Sequence, residues 1–562
     1  LNKTDFIVVG GGSGGCAVAG RLVEKGQRVT LLEAGPSDKP LFGFKLWGIQ
    51  TPVASMVLNN WVPYIYNWWF FTNRDKELCN RKLFWPRGRG MGGSSNINAM
   101  LYIRGNLRDY DEWADLGNTG WSAEDILPYF LKNEKNERFS DSPYHSNSGK
   151  LNVADPFHIH DLSRVFVKAG EEYGLSYNED FNGETQAGVG YYQVTQKDGC
   201  RFNANRAYLE EHSNNDKLRI ETRANVRRIL FDGDRAVGIE YIQKGKVRHL
   251  FAEKEVILAS GAIQSPHLLM LSGIGPRAEL EKHDIKVVKD LPGVGENLQD
   301  HLTTTIKYLD KSRTSINLGP LGWPFLTREV FKYLKTNRGL LSSSVAEGAG
   351  FEKTSPEFDR ENLQYHFLPL VLHNHGRKID FRFGFSLHLT DLRPKSRGRI
   401  YLKSADPDDR PQIETGYLTD PDDIDMKNMV DIVKKGRELM NQPAFEPYLG
   451  EELTPGKEVQ SDEQLEAFIR QNAETIYHPV GTCKMGVNDE MAVVDPELKV
   501  YGIQGLRVAD ASIMPLVIGG NTNAPTMVIG EKCADYIARQ YNLPLTVSDE
   551  ERGYDQRQQA GG

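Results

Sequence analysis

The chain has 562 residues, room for three or four domain-sized units, or for fewer if its segments interleave. Lys and Arg total 68 against 76 Asp and Glu, a formal net charge of -8 with no basic run, which argues against nucleic acid as a partner. Five cysteines lie far apart with no CxxC pair, so neither a disulfide framework nor a metal site is expected, and a reducing, cytoplasmic compartment fits. The first strand follows directly on Leu1, so no secretory or transit leader is expected, and no internal repeat is visible.

Asp5 to Arg21, DFIVVGGGSGGCAVAGR, opens the chain's organisation. Phe6 to Val9 reads as a buried strand, Gly10, Gly12 and Gly15 fall in GxGxxG spacing, and Cys16 to Leu22 continue as a helix with one apolar face. Such a turn lets the backbone approach a pyrophosphate, whose charge sits against the free NH groups and positive dipole of the helix start. Gln27 to Leu32 reads as the second strand and ends in Glu33, 23 residues after Gly10, where an acid can accept from ribose hydroxyls. At this point the dinucleotide can be a nicotinamide or a flavin. Between Lys45 and Arg74 no residue carries a formal charge, and the stretch holds Trp47, Trp61, Trp68, Trp69, Phe70 and Phe71. Pro52 and Pro63 make it a poor membrane span. A cofactor-covering loop is expected there, with a lipid-touching patch, peripheral to the inner membrane, as the sharper alternative.

Gly88 to Asp111, GRGMGGSSNINAMLYIRGNLRDYD, resembles the first signature of the glucose-methanol-choline (GMC) oxidoreductases, flavoproteins that bind FAD. Gly261 to Gly275, GAIQSPHLLMLSGIG, resembles the second, and HPVGTCKMG from His478 and GGNTNAPT from Gly519 complete the set in order. The likeness runs from about Asp5 to Arg539 and is strongest to bacterial alcohol and choline dehydrogenases. It implies FAD, an electron acceptor such as a quinone or another carrier, and a small alcohol as substrate. Physically, the 88–95 loop, with Gly92, Gly93 and Ser94, offers backbone NH groups and hydroxyls to a pyrophosphate or flavin edge, and Asn96 to Tyr102 is expected to begin a helix. The resemblance places Asn98 near the flavin ring. It places Asn96 where some relatives use a histidine for a covalent flavin bond, so the FAD here is expected to be held without one.

Asn106 to Glu137 is helical in pattern, with Ser122 and Asp125 as a cap, and polar turns to Gly149 lead into a second domain. Lys217 to Ala259 reads as an antiparallel insertion whose last run, Val256 to Ala259, rejoins a parallel sheet. The resemblance puts Val226 at the adenine side of FAD. In GVGENLQDH, His301 next to Asp300 could form a relay, but capping a local turn is the expected role of the histidine. From Leu302 to about Leu465 strands are expected at Gln364 to Leu372, Gly384 to Leu389 and Arg399 to Leu402, with a helix over Asp422 to Met440. This would be a sheet laid over the flavin. Its apolar residues, among them Leu318, Leu321, Trp323, Phe325, Phe367, Leu370 and Leu372, would suit an alkyl or aryl alcohol, although core is the commoner fate of such residues. His388 is a secondary site candidate; the spacings of His366, His373, His375 and His388 match no metal set.

Oxidising an alcohol by hydride transfer needs a base for the hydroxyl proton and a donor for the oxygen. The resemblance makes His478 the base and Asn521, 43 residues later, the oxygen-holding partner. An amide cannot replace the base, which assigns the roles. Leu506 to Val508 reads as a strand ending at Asp510, beside the cofactor by resemblance, and Asn523 as cap with Pro525 in the first turn starts a helix through Ile537.

The expected architecture is thus α/β and α+β. A Rossmann-like FAD domain is built from 1–155, 215–308 and 466–545. A substrate domain with an antiparallel sheet flanked by helices takes 156–214 and 309–465, and a polar tail 546–562. The expected activity is oxidation of a primary alcohol to the aldehyde by a dehydrogenase. An oxidase passing electrons to oxygen, a lyase on the same fold and a non-catalytic flavin-binding protein stay open.

Overall fold

The computed structural model describes residues 3–39, 48–54, 65–548 and 550–551. Trp47 and Trp61, and most of the polar tail, lie outside these residues.

The first sheet grows around β1 (Lys3–Val9), whose run from Phe6 to Val9 is buried because both faces of a parallel strand are covered. Beside it lie β2 (Val29–Glu33) and then β3 (Leu218–Thr222) on one side, all parallel. On the other side are the second half of a long strand and then Leu506–Val508, also parallel. The first half of that long strand pairs antiparallel with β5 (Arg235–Gln243), which pairs with β4 (Ala224–Asp232); the long strand itself is β6 (Lys246–Leu258). One strand thus belongs to both the hairpin insertion and the parallel centre, as the pattern over 217–259 predicts. At the end of β1, Gly10 turns the chain with φ 106°, and a side chain there would lie 2.5 Å from the Ala259 carbonyl oxygen. Helix α1 (Ser13–Glu24) follows, and α2 (Gly261–Leu271) leaves the end of β6 in the same sense.

The second sheet is antiparallel, with β7 (Leu302–Asp310), β8 (Gly348–Glu352), β9 (Leu363–Leu368), β10 (Gly384–Asp391) and β11 (Leu449–Thr454) in the order β11, β7, β10, β9, β8, then Gly188–Tyr191 at the edge. Side chains on a strand alternate between faces, and here the alternation separates core from site. Leu302, Ile306 and Tyr308 of β7, Tyr365 and Phe367 of β9, and Leu387 and Leu389 of β10 are buried in the main core, where helix α3 (Ile424–Met440) packs against β7 and β10. Thr303, Thr305, Lys307, His366, Leu368 and His388, on the opposite face, line a cavity.

Helix α4 (Asn523–Gln540) packs along α1. Two local expectations change. The pattern over 106–137 divides into helices at Leu107–Asp115 and Ala123–Asn133, each closed by a capping box, Ser122 with Asp125 in the second. No helix begins at Asn96: a 3-10 turn spans Gly93–Asn96, and the chain then extends to a bridge between Leu101 and Val194. The reason is local competition for backbone groups. Asn96 Nδ2 donates to the Met91 carbonyl (2.7 Å), and Asn98 Oδ1 accepts from the Met100 NH (3.1 Å), an arrangement that holds Met100 at φ 62°. Among the described residues no helix is long and apolar enough to cross a membrane.

Candidate active site

Between the two sheets lies a cavity of about 800 Å³, lined at one end by the ends of β1 and β2 and at the other by the open face of the second sheet. Two helices begin on its wall. Gly12, Ser13 and Gly14 bring the start of α1 to the cavity, and Thr522 and Asn523 bring the start of α4. Ser13 Oγ donates to Asn523 Oδ1 at 2.7 Å and ties the two starts together. Asn523 is therefore the first residue of its helix rather than its cap, which is Thr522 without a side-chain bond. Two positive dipole ends converge on one wall, an arrangement that favours bound phosphate.

The expected cofactor residues divide into two groups. Gly10, Gly12, Glu33, Gly93, Ser94, Asn98, Val226, Asp510 and Asn523 line the cavity. Gly15 and Gly92 stand behind it and act through backbone approach: a side chain at Gly15 would lie 1.9 Å from the Gly10 carbonyl oxygen, and the Gly92 NH donates to Gly11 O at 2.7 Å. The two glycine loops touch at Gly12 and Gly93, where a Cβ on Gly93 would come within 2.6 Å of the Gly12 Cα. Glu33 has a task the spacing did not show. Its carboxylate accepts from three backbone NH groups, those of Gly11 (2.8 Å), Gly35 (2.7 Å) and Gly90 (2.9 Å), and so locks both loops. Asp510 does the same for α2, accepting from the Gly261 NH (2.9 Å) and Ser265 Oγ (2.6 Å). Asn98 is held by Arg201, whose guanidinium donates to Asn98 Oδ1 (2.6 Å) and to the Ser95 carbonyl (3.0 Å). Asn96 is turned away, bonded to Met91 and Asn203. Of the uncharged aromatic stretch, Trp68 and Phe70 form part of the cavity wall, as a covering loop would.

At the other end His478 and Asn521 meet, Nε2 to Nδ2, at 3.2 Å. Gln364 of β9 donates to Asn521 Oδ1 (3.1 Å), so the Asn521 amide presents its NH₂ to the histidine. Nε2 of His478 is then the acceptor, and the proton sits on Nδ1, which donates to Nδ1 of His301 at 2.9 Å. Asp300 fixes the backbone: its carboxylate accepts from the His478 NH (2.7 Å) and from the Tyr417 hydroxyl, and burial pushes its pKa up to about 6. Burial holds His478 well below the usual histidine range, and His301, His366 and Arg87 add to the effect. The base is therefore neutral with its lone pair toward the cavity. Tyr477, the residue before it, has φ 76°, a left-handed backbone of the kind concentrated at functional sites.

Gln364 and His366 go beyond the sequence expectations, and His301 with Asp300 supports the base rather than capping a local turn. It follows Asp300 at the start of β7 and packs edge-on against the His478 ring. A signal for Gln364 and His366 was present, since both fall on the polar side of the alternation in β9. His388 lines the cavity as expected, with Nδ1 3.2 Å from Thr305 Oγ1. The apolar substrate residues need correction. Leu372 lines the cavity, but Phe367 and Leu370 are core, while Leu321, Trp323 and Phe325 are exposed. Hydrophobicity alone does not tell a pocket from a core or a surface patch.

A glycine-gripped dinucleotide cleft closed by a sheet, with a neutral histidine and an amide at its inner end, is the architecture of a dinucleotide-dependent oxidoreductase. Residues 4–303 and 394–530 match the GMC oxidoreductase family. The chain is 47% identical over 546 residues to an alcohol dehydrogenase [acceptor] of Pseudomonas putida, covering 96% of each. It is 44% identical over 554 residues to an oxygen-dependent choline dehydrogenase of Pseudomonas fluorescens, covering 97% of this chain and 95% of that one. Among solved structures, an Aspergillus oryzae formate oxidase studied for its FAD modification superposes with a TM-score of 0.88 at 26% identity, over 96% of this chain and 99% of that one. The chain belongs to the GMC oxidoreductase family. It is a flavin-dependent oxidoreductase whose cofactor is FAD, acting on a small molecule and delivering electrons to an acceptor.

Proposed function

We propose that the protein oxidises a primary alcohol to the aldehyde, with His478 as the base. Bound FAD supplies the hydride acceptor. Gly10, Gly12 and the start of α1 would hold its pyrophosphate, Glu33 and Val226 would flank the adenosine side, and Gly93, Ser94 and Asn98, with Asp510 and Asn523, would stand along the flavin. The donor set fits such a group: two helix starts for the phosphates and glycine loops too close together to admit side chains. Asn96 offers no nucleophile, which supports non-covalent binding. The segments 1–155, 215–308 and 466–545 would form the FAD domain, and 156–214 with 309–465 the substrate domain.

The observation that carries the reading is the pair itself. His478 Nε2 carries no proton and stands 3.2 Å from Asn521 Nδ2, both on the cavity wall. An alcohol oxygen reaching both from the cavity, replacing the bond they make to each other, would give its proton to Nε2 and accept a hydrogen bond from the amide, which holds the developing negative oxygen. The imidazole then bears a positive charge, opposed by the buried surroundings and shared with His301 through Nδ1. The similarity to the Pseudomonas putida enzyme favours a quinone or another carrier as acceptor; the similarity to an oxygen-dependent dehydrogenase keeps oxygen as the second reading.

Mixing the holoenzyme with primary alcohols without oxygen should bleach the yellow flavin absorbance, and adding a quinone should restore it faster than air does. A flavin that stays yellow with every alcohol would point instead to a lyase or a binding protein.

A further inference from the structure

Among the described residues sixteen large apolar side chains are exposed, and seven of them fall in two segments, 321–334 and 379–381. The most open are Leu321, Trp323, Phe331 and Phe381, at 74, 59, 60 and 61%. The turn just before the first segment meets the second: Asn317 Nδ2 donates to the Phe381 carbonyl (2.7 Å), and a side chain on Gly319 would lie 2.9 Å from the Phe381 Cβ. The second segment continues the loop that carries Leu372, His373, Asn374, His375 and Lys378 on the cavity wall. The patch therefore sits beside the rim of the active-site cavity. Single exposed apolar residues need no explanation; seven gathered at one opening do.

The helix Trp323–Thr336 has the character of an interfacial helix. Its buried side is Glu329 and Tyr333, with Leu326 and Val330 packed on the core beneath. At ~100° per residue, the surface turning away from that side shows first Trp323, Leu334 and Phe331, then Arg328, Lys332 and Lys335. Aromatic and aliphatic side chains thus border directly on cations. Arg328 lies over the Phe325 ring at 5.2 Å; the acid of this helix, Glu329, is buried beneath and pairs with Arg328 (3.5 Å) and Lys332 (3.9 Å), so three cations against one acid leave the helix net positive. The neighbouring loop adds the exposed Arg377 and Lys378. In a chain of net charge -8, this is cationic ground around an apolar stripe.

We propose that this face docks on an anionic phospholipid surface and sets the cavity rim against the bilayer, so that lipophilic alcohols and electron acceptors reach the site from the lipid. Apolar burial and attraction between basic side chains and anionic headgroups act together there. A second copy of the chain is a poorer occupant, because a two-fold contact would set Arg328, Lys332 and Lys335 against their own counterparts. The route from lipid to site rests on the alcohol-oxidising function proposed above; the docking does not, and it is tested without turnover.

The test is flotation of the FAD-loaded enzyme with vesicles of phosphatidylcholine alone and of phosphatidylcholine mixed with phosphatidylglycerol. The enzyme should float with the mixed vesicles, less so in high salt. The triple variant Trp323→Ser, Phe331→Ser, Phe381→Ser should lower the floated fraction about tenfold, with flavin absorbance and melting temperature kept as the check on folding. A second variant, Arg328→Gln, Lys332→Gln, Lys335→Gln, should abolish the preference for the anionic vesicles. The proposal is overturned if the wild type floats with neither vesicle, if the Ser variant floats as well as the wild type, or if sedimentation instead shows a dimer that the Ser variant breaks while no vesicle is bound.

Discussion

His301 and His478 meet Nδ1 to Nδ1 at 2.9 Å with their rings at 89° to each other, although 177 residues separate them. Because Asn521 donates to Nε2, this contact fixes which nitrogen of His478 holds the proton. It makes His301 a positioning residue for the base. Replacing His301 with Ala should reduce the rate of flavin reduction by saturating alcohol by roughly 10- to 100-fold, with the larger effect on kcat than on KM, by analogy with the loss of an orienting partner in nucleophile–base–orienter sets. His301→Gln, which can still accept from Nδ1, should recover part of the loss. Equal loss in both variants would reduce His301 to a packing residue.

Gln364 holds the Asn521 amide in one of its two orientations, and its own Nε2 also donates to the Tyr192 hydroxyl (2.9 Å). In Gln364→Leu the amide is free to turn its carbonyl toward His478. With FAD content unchanged, kcat/KM should fall by an amount set by one lost hydrogen bond, about 1 kcal/mol or ~5-fold. Stopped-flow flavin reduction at low alcohol concentration checks it.

The pH dependence has a defined sign. The active form of His478 is neutral, and burial, reinforced by His301, His366 and Arg87, holds its pKa well below the ordinary value. The neutral base should therefore persist as pH falls through ~6.5, the usual histidine value, and activity should drop only below it. A kcat/KM profile for flavin reduction with an acid limb at or above ~6.5 would contradict this. Stability follows the same direction. Burial also lowers the pKa of His301, His366 and His388 to about 3. Below ~6.5 the unfolded chain binds protons that the folded one refuses, so melting temperature should fall as pH drops from 7 to 5.

Lys307 stands on the site face of β7, with Nζ 3.3 Å from His373 Nδ1, and among the described residues it forms no salt bridge with a carboxylate. Burial lowers its pKa while Glu474, also on the cavity wall, and Asp380 favour its charged form, and the ammonium opposes a cationic substrate. Choline should therefore be a poorer substrate than a neutral primary alcohol of similar size, by about tenfold or more in kcat/KM, and Lys307→Glu should narrow that ratio. Choline preferred by the wild type would overturn the assignment.

The cofactor end could be read from the chain because its chemistry is written in local spacing. A phosphate held by backbone requires glycines at fixed offsets, and Gly10, Gly15 and Gly93 stand where close approach demands them. The centre of the parallel sheet could be read as well, since Val256 to Ala259 is a short apolar run with nowhere else to be buried; in Leu506 to Val508 the middle residue, Arg507, is buried too, paired with Glu255 (2.7 Å). The reacting end was read only as a pair, His478 with Asn521. Its supports, His301, Asp300 and Gln364, arrive from distant strands, and no local pattern announces a contact across such separations. The helix expected from Asn96 failed because the Asn96 and Asn98 side chains take backbone partners that a helix would need. The placing of Trp323 and Leu321 in a substrate pocket failed because apolar character is shared by pocket, core and surface.

The central claim is that His478 Nε2 receives the alcohol proton. Its most direct test is flavin reduction without oxygen by a primary alcohol in His478→Ala, with bound FAD confirmed by absorbance. FAD content should stay full while the reduction rate falls by about 100-fold or more, in the range ascribed to a positioned general base, ~10² to 10⁴. Reduction at the wild-type rate would contradict it.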